Sequence, residues 1–250
     1  MKNPESKLIC LWSGPRNVST ALMYSFAQRR DTRVIDEPLY GHFLRVTGIS
    51  HPGRDEVMSN MECDGNKVMA DLLMGSDIDS HIVFLKQMAH HLVDLDMRFL
   101  NKVTNIILIR NPEKMLISLT KNLPQASLAD TGLTIQWNLF SQLRSNGQSV
   151  VVIDSCELLS DPEGVLRLLC ENLEIDFNIE MLNWPRGPRP EDGIWAKYWY
   201  KNVHLSETFN KNLSCEKIPS NLQDLLSECE LWYEKLFKHA IKVKSSKKCT

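Results

Sequence analysis

The stretch that decides the fold is Lys7-Leu8-Ile9-Cys10-Leu11-Trp12, then Ser13-Gly14-Pro15-Arg16-Asn17-Val18-Ser19-Thr20, then Ala21 to Arg30. A short apolar run closed by a turn reads as a buried strand. Beyond the turn, Leu22, Met23 and Phe26 fall at helical spacing. Residues 8 to 30 therefore read as strand, loop and helix. A helix N-terminus offers free N–H donors and a partial positive charge, which suits a phosphate-like anion. Gly14 permits a tight turn. Arg16 adds a fork of donors matched to phosphate or sulfate oxygens, and Ser19 and Thr20 add hydroxyls in the first helical turn. The plainer alternative is that the two hydroxyls merely cap the helix and Arg16 is a solvated charge. The loop is not a Walker A sequence, because Val18 and Ser19 stand where that pattern needs glycine and lysine.

Working outward, short apolar runs alternate with amphipathic stretches. Residues 32–36 (TRVID), 81–87 (HIVFLKQ), 103–110 (VTNIILIR) and 148–154 (QSVVVID) read as four more strands. The run 103–110 is β-branched and continuously apolar, as in a parallel sheet buried on both faces. Helices are predicted over NPEKMLISLTKN, with Asn111 as cap and Pro112 at the first position, and over TGLTIQWNLFSQLRSNG, stopped by Gly147. Two more follow, over SDPEGVLRLLCENL, capped by Asp161, and over NLQDLLSECELWYEKLFKHAI. Residues 41 to 80 are less regular; MADLLMG suits a helical turn or a strand. The fold class is α/β, with three α/β/α layers around a mostly parallel five-stranded sheet. One domain over 1–250 is the simplest reading, with flexible ends at 1–6 and 243–250.

Bulk composition excludes several classes. The chain has 250 residues, 43% hydrophobic and 24% charged, with a net charge of −2. That balance does not suit a nucleic-acid coat, so an anion must be held by local donors. No apolar run approaches a membrane span, and the polar start is unlike a secretion signal. Seven cysteines, none at CxxC spacing, read as free thiols in a reducing, cytoplasmic setting. No metal pattern is present in the sequence.

A second anion motif sits at Arg110, at the carboxyl end of the fourth strand, where open α/β sheets bind ligands. Ser118 lies eight residues on, about 11 Å along a helix, so the two meet one anion only if Arg110 folds back. Two such motifs at one sheet edge suggest a nucleotide with phosphates at both ends.

These residues resemble the sulfotransferase superfamily, whose donor is 3′-phosphoadenosine-5′-phosphosulfate (PAPS). Its first loop reads like PKSGTT or PRSGST, and Pro15-Arg16-Asn17-Val18-Ser19-Thr20 stands in its place. Its second motif is an arginine ending a strand, then typically Asp-Pro, with a serine eight positions on; Arg110-Asn111-Pro112 and Ser118 match that spacing. Residues 150–175 are similar to its later strand, E-x-L, D-P, helix segment. The resemblance touches residues 8 to about 185 and implies a P-loop-like sulfotransferase fold. It implies that Gly14 to Thr20 hold the 5′-phosphosulfate and that Arg110 and Ser118 hold the 3′-phosphate, with no metal required.

The attacking group needs a general base. Glu37, just after the second strand in IDEPLYGHF, resembles the glutamate of the FEPLWH segment in carbohydrate sulfotransferases; its neighbour Asp36 is able to exchange roles with it. Lys86 looks like the strand-end lysine that touches the transferring sulfonate. The position two residues on, where cytosolic members carry a histidine, is Met88. His90 and His91 are second candidates for the base, and Tyr40, His42 and Gln87 are candidates to line an acceptor pocket. The segment 184–209 mixes Arg186, Arg189, Lys197 and Lys201 with Trp184, Trp195, Tyr198, Trp199 and Tyr200 and is loosely like the loop that covers the 3′-phosphate; an irregular loop pinned by buried tryptophans is the plainer account. The basic tail (Lys242, Lys244, Lys247, Lys248) reads as a solvated end. The resulting expectation is a PAPS-dependent sulfotransferase acting on a hydroxyl or amine of a small acceptor. A P-loop phosphotransferase using ATP and a non-catalytic nucleotide-binding protein are the rivals.

Overall fold

Every apolar run predicted as a strand becomes one. In the computed structural model, which describes residues 6–75, 80–121, 123–209 and 217–243, the strands are β1 (Lys7–Ser13), β2 (Thr32–Asp36), β3 (Ile82–Met88), β4 (Thr104–Ile109) and β5 (Val150–Asp154). They form one sheet in the order β2-β3-β1-β4-β5, and every pairing is parallel. The sheet is thus wholly rather than mostly parallel.

The helices are α1 (Ser19–Ala27), α2 (Tyr40–Thr47), α3 (Arg54–Asn60), α4 (Gly65–Met74), α5 (Pro112–Leu119), α6 (Leu128–Thr131), α7 (Leu133–Ser145), α8 (Ser155–Ser160), α9 (Pro162–Asn172), α10 (Ala196–Trp199) and α11 (Gln223–Phe237). The least regular stretch of sequence holds α2, α3 and α4, and MADLLM is helical. Its start is set by Asp64, whose side chain accepts from the amides of Asn66 and Lys67 at 3.0 and 3.3 Å. The helix expected from Thr131 is broken at Gly132, whose φ of 75° ends α6 and begins α7.

Alternation along the strands divides the core in two. Ile9, Leu11, Phe84, Ile106 and Leu108 meet α1 and α9 on one face. Cys10, Trp12, Val83, Leu85 and Ile107 meet α4, α7 and α11 on the other. Both faces are covered, which is why the strands read as continuous apolar runs. The last described residues add to the sheet's edge, with the Ile241 amide donating to Val152 O at 2.9 Å. Ser6 donates to Ser80 O at 2.7 Å, and Val243 packs on the α1 face. The other residues of the expected flexible ends, 1–5 and 244–250, lie outside the described residues, as do Cys215, Cys249 and the basic tail beyond Lys242. Among the described residues, no helix is long and apolar enough to cross a membrane.

The strand order places the site. The connection leaving β1 runs to β2 on one side of the sheet, while the chain leaving β4 runs to β5 on the other. The crevice between the carboxyl ends of β1 and β4 is therefore the topological switch point, where such sheets bind ligands.

Candidate active site

The β1–α1 loop turns through two left-handed residues that are not glycine, Arg16 (φ 62°) and Val18 (φ 60°). Such residues persist only where surrounding structure holds them. Here the Asn17 side-chain amide donates to Leu108 O at 3.0 Å, and the Ser155 hydroxyl lies 2.8 Å from Asn17 O. Arg110 donates to the carbonyl of Arg16. The Gln136 amide ties the ends of β1 and β4 together through Trp12 O (3.1 Å) and Leu108 O (2.7 Å). Gly14 is required by close approach, since a Cβ there would fall 2.6 Å from Thr131 O. Val18 is the N-cap of α1 and makes no side-chain cap hydrogen bond. The first-turn amides of α1 thus lack the acceptor that a serine or aspartate cap supplies to other helices.

The two arginines converge on this point. Arg16 Nε donates to Ser118 Oγ at 2.9 Å. Ser118 thus meets Arg16, while Arg110 meets the Arg16 backbone. The two motifs expected at separate ends of a nucleotide form one contiguous cluster. Burial lowers the pKa of both guanidinium groups, and in Arg110 the charge of Arg16 adds to that. Among the described residues neither forms an ion pair with a carboxylate. Two neighbouring, partly desolvated cations, neither in an ion pair with a carboxylate, are able to receive an anion.

A second cluster lies at the ends of β2 and β3. Asp36 and Lys86 are register partners. Lys86 Nζ donates to Asp36 Oδ1 at 3.0 Å, to Glu37 Oε1 and to the Tyr200 hydroxyl at 2.7 Å. Burial alone would lower the Lys86 pKa, but Asp36 and Glu37 outweigh it and hold the ammonium charged. Burial raises Glu37 above its ordinary value, and the attraction of Lys86 only partly offsets this. The second Glu37 oxygen, Oε2, lies 3.9 Å from His91 Nε2.

The other candidates divide. His91 is buried with Nδ1 unpartnered, and its ring stacks on Tyr40 with centroids 5.2 Å apart. Burial depresses its pKa well below the usual histidine range and holds His90 at about 4. Gln87 is 0% exposed, and neither amide atom has a partner. The Tyr40 hydroxyl is taken by His51 Nδ1 at 3.0 Å. His42 is drawn into the scaffold, because its Nε2 meets Val93 O at 2.7 Å and its Nδ1 accepts from the Gly65 amide at 3.1 Å. No ring nitrogen is left for an acceptor. Arg186 is exposed, and Arg189 pairs with Glu191 at 3.3 Å over the Tyr24 ring, so neither joins Arg16 and Arg110 here. Reading the sequence did not single out Gln136, Ser155 or Tyr200. Tyr200 lay in the aromatic segment already noted, but nothing local marks it out from its neighbours. Among the described residues, no group of three His, Cys, Asp or Glu converges to hold a metal.

A wholly parallel α/β sheet with a strand–loop–helix turn at its switch point defines a P-loop-like α/β class. Within that class the chain belongs to the sulfotransferase domain family, whose model matches residues 7–240. Solved structures agree at the level of the fold. The sulfotransferase domain of the Synechococcus PCC 7002 olefin synthase superposes with a TM-score of 0.55 at 17% identity, covering 94% of this chain and 96% of that one. The sulfotransferase domain from the curacin biosynthetic pathway gives 0.56 at 17%, covering 94% and 99%. In sequence, the chain is 43% identical over 236 residues to branched-chain-amino-acid aminotransferase-like protein 1 of Arabidopsis thaliana, covering 94% of this chain and 42% of that protein. Protein 2 of the same name is 42% identical over 244 residues, covering 96% and 43%. The chain thus spans about two-fifths of the length of these curated relatives.

Proposed function

We propose that this chain is a PAPS-dependent sulfotransferase that transfers a sulfuryl group to a hydroxyl or amine of a small acceptor. The observation that carries the reading is the uncapped N-terminus of α1 flanked by the unpaired guanidiniums of Arg16 and Arg110. In this reading the loop amides and Arg16 hold the phosphosulfate, and Arg110 and Ser118 hold the second phosphate. Transfer forms a bond from the acceptor oxygen or nitrogen to sulfur and breaks the bond from sulfur to the bridging phosphate oxygen. The acceptor's proton passes to Glu37, and 3′,5′-adenosine bisphosphate leaves. Charge grows on that leaving phosphate, and donors fixed in advance are well placed to stabilise it. Lys86 steadies the sulfonate from the neighbouring strand end, once its ammonium is partly released from the carboxylates. No metal is needed by this chemistry. The five free thiols among the described residues suit a cytoplasmic setting.

The name of the curated relatives points to a different chemistry. Transamination needs a lysine free to form an imine, whereas the buried lysine of this chain is held by two carboxylates and a tyrosine. That commitment counts against an aminotransferase site here.

Thermal shift tests the donor. The bisphosphate at a hundredfold excess over its Kd is expected to stabilise the protein by about 2.7 kcal/mol, and ATP or ADP to do much less. Arg110→Ala is expected to weaken bisphosphate binding about tenfold to a hundredfold, from one charge-assisted hydrogen bond. Equal stabilisation by ATP, or undiminished binding by the variant, overturns the assignment.

A further inference from the structure

Two adjacent carboxylates touch one lysine, and their surroundings differ. Asp36 accepts three hydrogen bonds: Lys86 Nζ at 3.0 Å on Oδ1, and the Tyr200 hydroxyl at 2.7 Å and the Gly193 amide at 3.1 Å on Oδ2. Glu37 receives Lys86 on Oε1. Its Oε2 has no hydrogen-bond donor among the described residues, only His91 Nε2 at 3.9 Å.

The donors to Asp36 Oδ2 both come from the segment 184–209. Tyr200 is 5% exposed. Its hydroxyl accepts from Lys86 and from Trp195 Nε1 at 3.2 Å, so its own proton is directed at Asp36. A hydroxyl has one donor and two lone pairs, and all three are used. The Trp195 ring is held edge-on to Tyr40, with centroids 5.0 Å apart. Gly193 is fixed by the same ring, since a Cβ there would fall 2.1 Å from Trp195 Cζ2. Only glycine lets that amide reach Asp36.

We propose that Tyr200 and the Gly193 amide clamp Asp36 as the standing counter-ion of Lys86, which leaves Glu37 Oε2 to take the acceptor's proton and makes Tyr200 a positioning residue for the transfer. This rests on the reading given under Proposed function. Both Asp36 oxygens already accept hydrogen bonds from fixed donors, whereas one Glu37 oxygen is open to an acceptor. A buried carboxylate with one open oxygen is the better base at neutral pH. The groups facing Glu37 are Asp36 from β2, Lys86 from β3, Tyr40 from α2, His91 after β3, and Tyr200 from the covering segment. Without the Tyr200 hydroxyl, the third Lys86 hydrogen bond falls to Glu37. Glu37 is then more acidic and a poorer base.

The test compares Tyr200→Phe with wild type in two measurements. In turnover, Tyr200→Phe is expected to lower kcat about tenfold, leave the KM for PAPS unchanged, and move the acid limb of the pH profile to lower pH. A fall in kcat with the limb unmoved makes Tyr200 merely structural and overturns the proposal. In carbon NMR of labelled carboxylates in the wild-type protein, the Glu37 signal is expected to titrate above its ordinary value of 4.5. In Tyr200→Phe the same Glu37 signal is expected to titrate at lower pH than in the wild type. A Glu37 signal that titrates at the same pH in both proteins overturns the clamp. This second measurement needs no transfer reaction. A wild type that binds the bisphosphate and transfers nothing would therefore sink the catalytic reading and still leave the clamp to be judged.

Discussion

Arg16 anchors the loop with its backbone, and in the proposed reading its side chain holds the donor. Its carbonyl anchors Arg110, and its Nε reaches Ser118 across 102 residues of sequence. Removing the side chain leaves the carbonyl anchor in place, so Arg16→Ala is expected to fold. One charge-assisted hydrogen bond is worth about 1.5–3 kcal/mol, so kcat/KM is expected to fall about tenfold to a few hundredfold. Steady-state kinetics with saturating acceptor measure this, and an unchanged kcat/KM would take Arg16 out of the donor site. Its proposed role as an anion ligand rests on residue type and on its place after a strand, both readable in the sequence. Its partnership with Ser118 was not, because the eight-residue spacing pointed to Arg110 instead.

Caps divide the helices into two kinds. Asp161 accepts from the Gly164 amide at 3.0 Å, with Pro162 opening α9. Asn111 does the same for α5 through Lys114, at 3.3 Å. These caps were readable because a cap and its helix are neighbours in sequence. At α1 the N-cap is Val18, which cannot cap. The contrast gives a paired expectation. Asp161→Ala should lower stability by about 1 kcal/mol, seen as a lower urea midpoint, with bisphosphate binding unchanged. Loss of binding in that variant would show that α9 and the loop are coupled through α8 and Ser155. Narrow buried faces hid α3 and α4, while α2 is buried at five consecutive residues, Tyr40 to Leu44, which is not a helical stripe. Only Val57 of α3, and only Gly65 and Met69 of α4, are buried.

At the scale of the whole molecule, buried titrating groups set how stability follows pH. His90 and His91 are held neutral by burial, His90 at about 4. Between the ordinary histidine value of 6.5 and about 4, the unfolded chain binds these protons and the native state does not. Their contribution is therefore present above the upper value and is lost as pH falls through the lower one. Glu37 acts with the opposite sign. Its raised pKa favours the protonated native form, a contribution complete below 4.5 and lost as pH rises through the folded value. The melting temperature is expected to fall on acidification through this window. The fall should be shallower in His90→Gln and steeper in Glu37→Gln. A scanning calorimetry series in matched buffers measures the three slopes, and identical slopes would show that these groups do not govern the transition.

Local rules in the sequence determined the five strands, their burial on both faces, the α5 and α9 caps and the anion loop, because each rests on residues within a few positions of one another. Tertiary structure alone decided that Ser118 meets Arg16, that His42 belongs to the scaffold, and that Asp36 and Glu37 differ. That last difference is made by Tyr200, 164 residues from Asp36. In sequence, adjacent carboxylates look alike. Their chemistry separates only when distant donors fill the lone pairs of one and leave an oxygen of the other open.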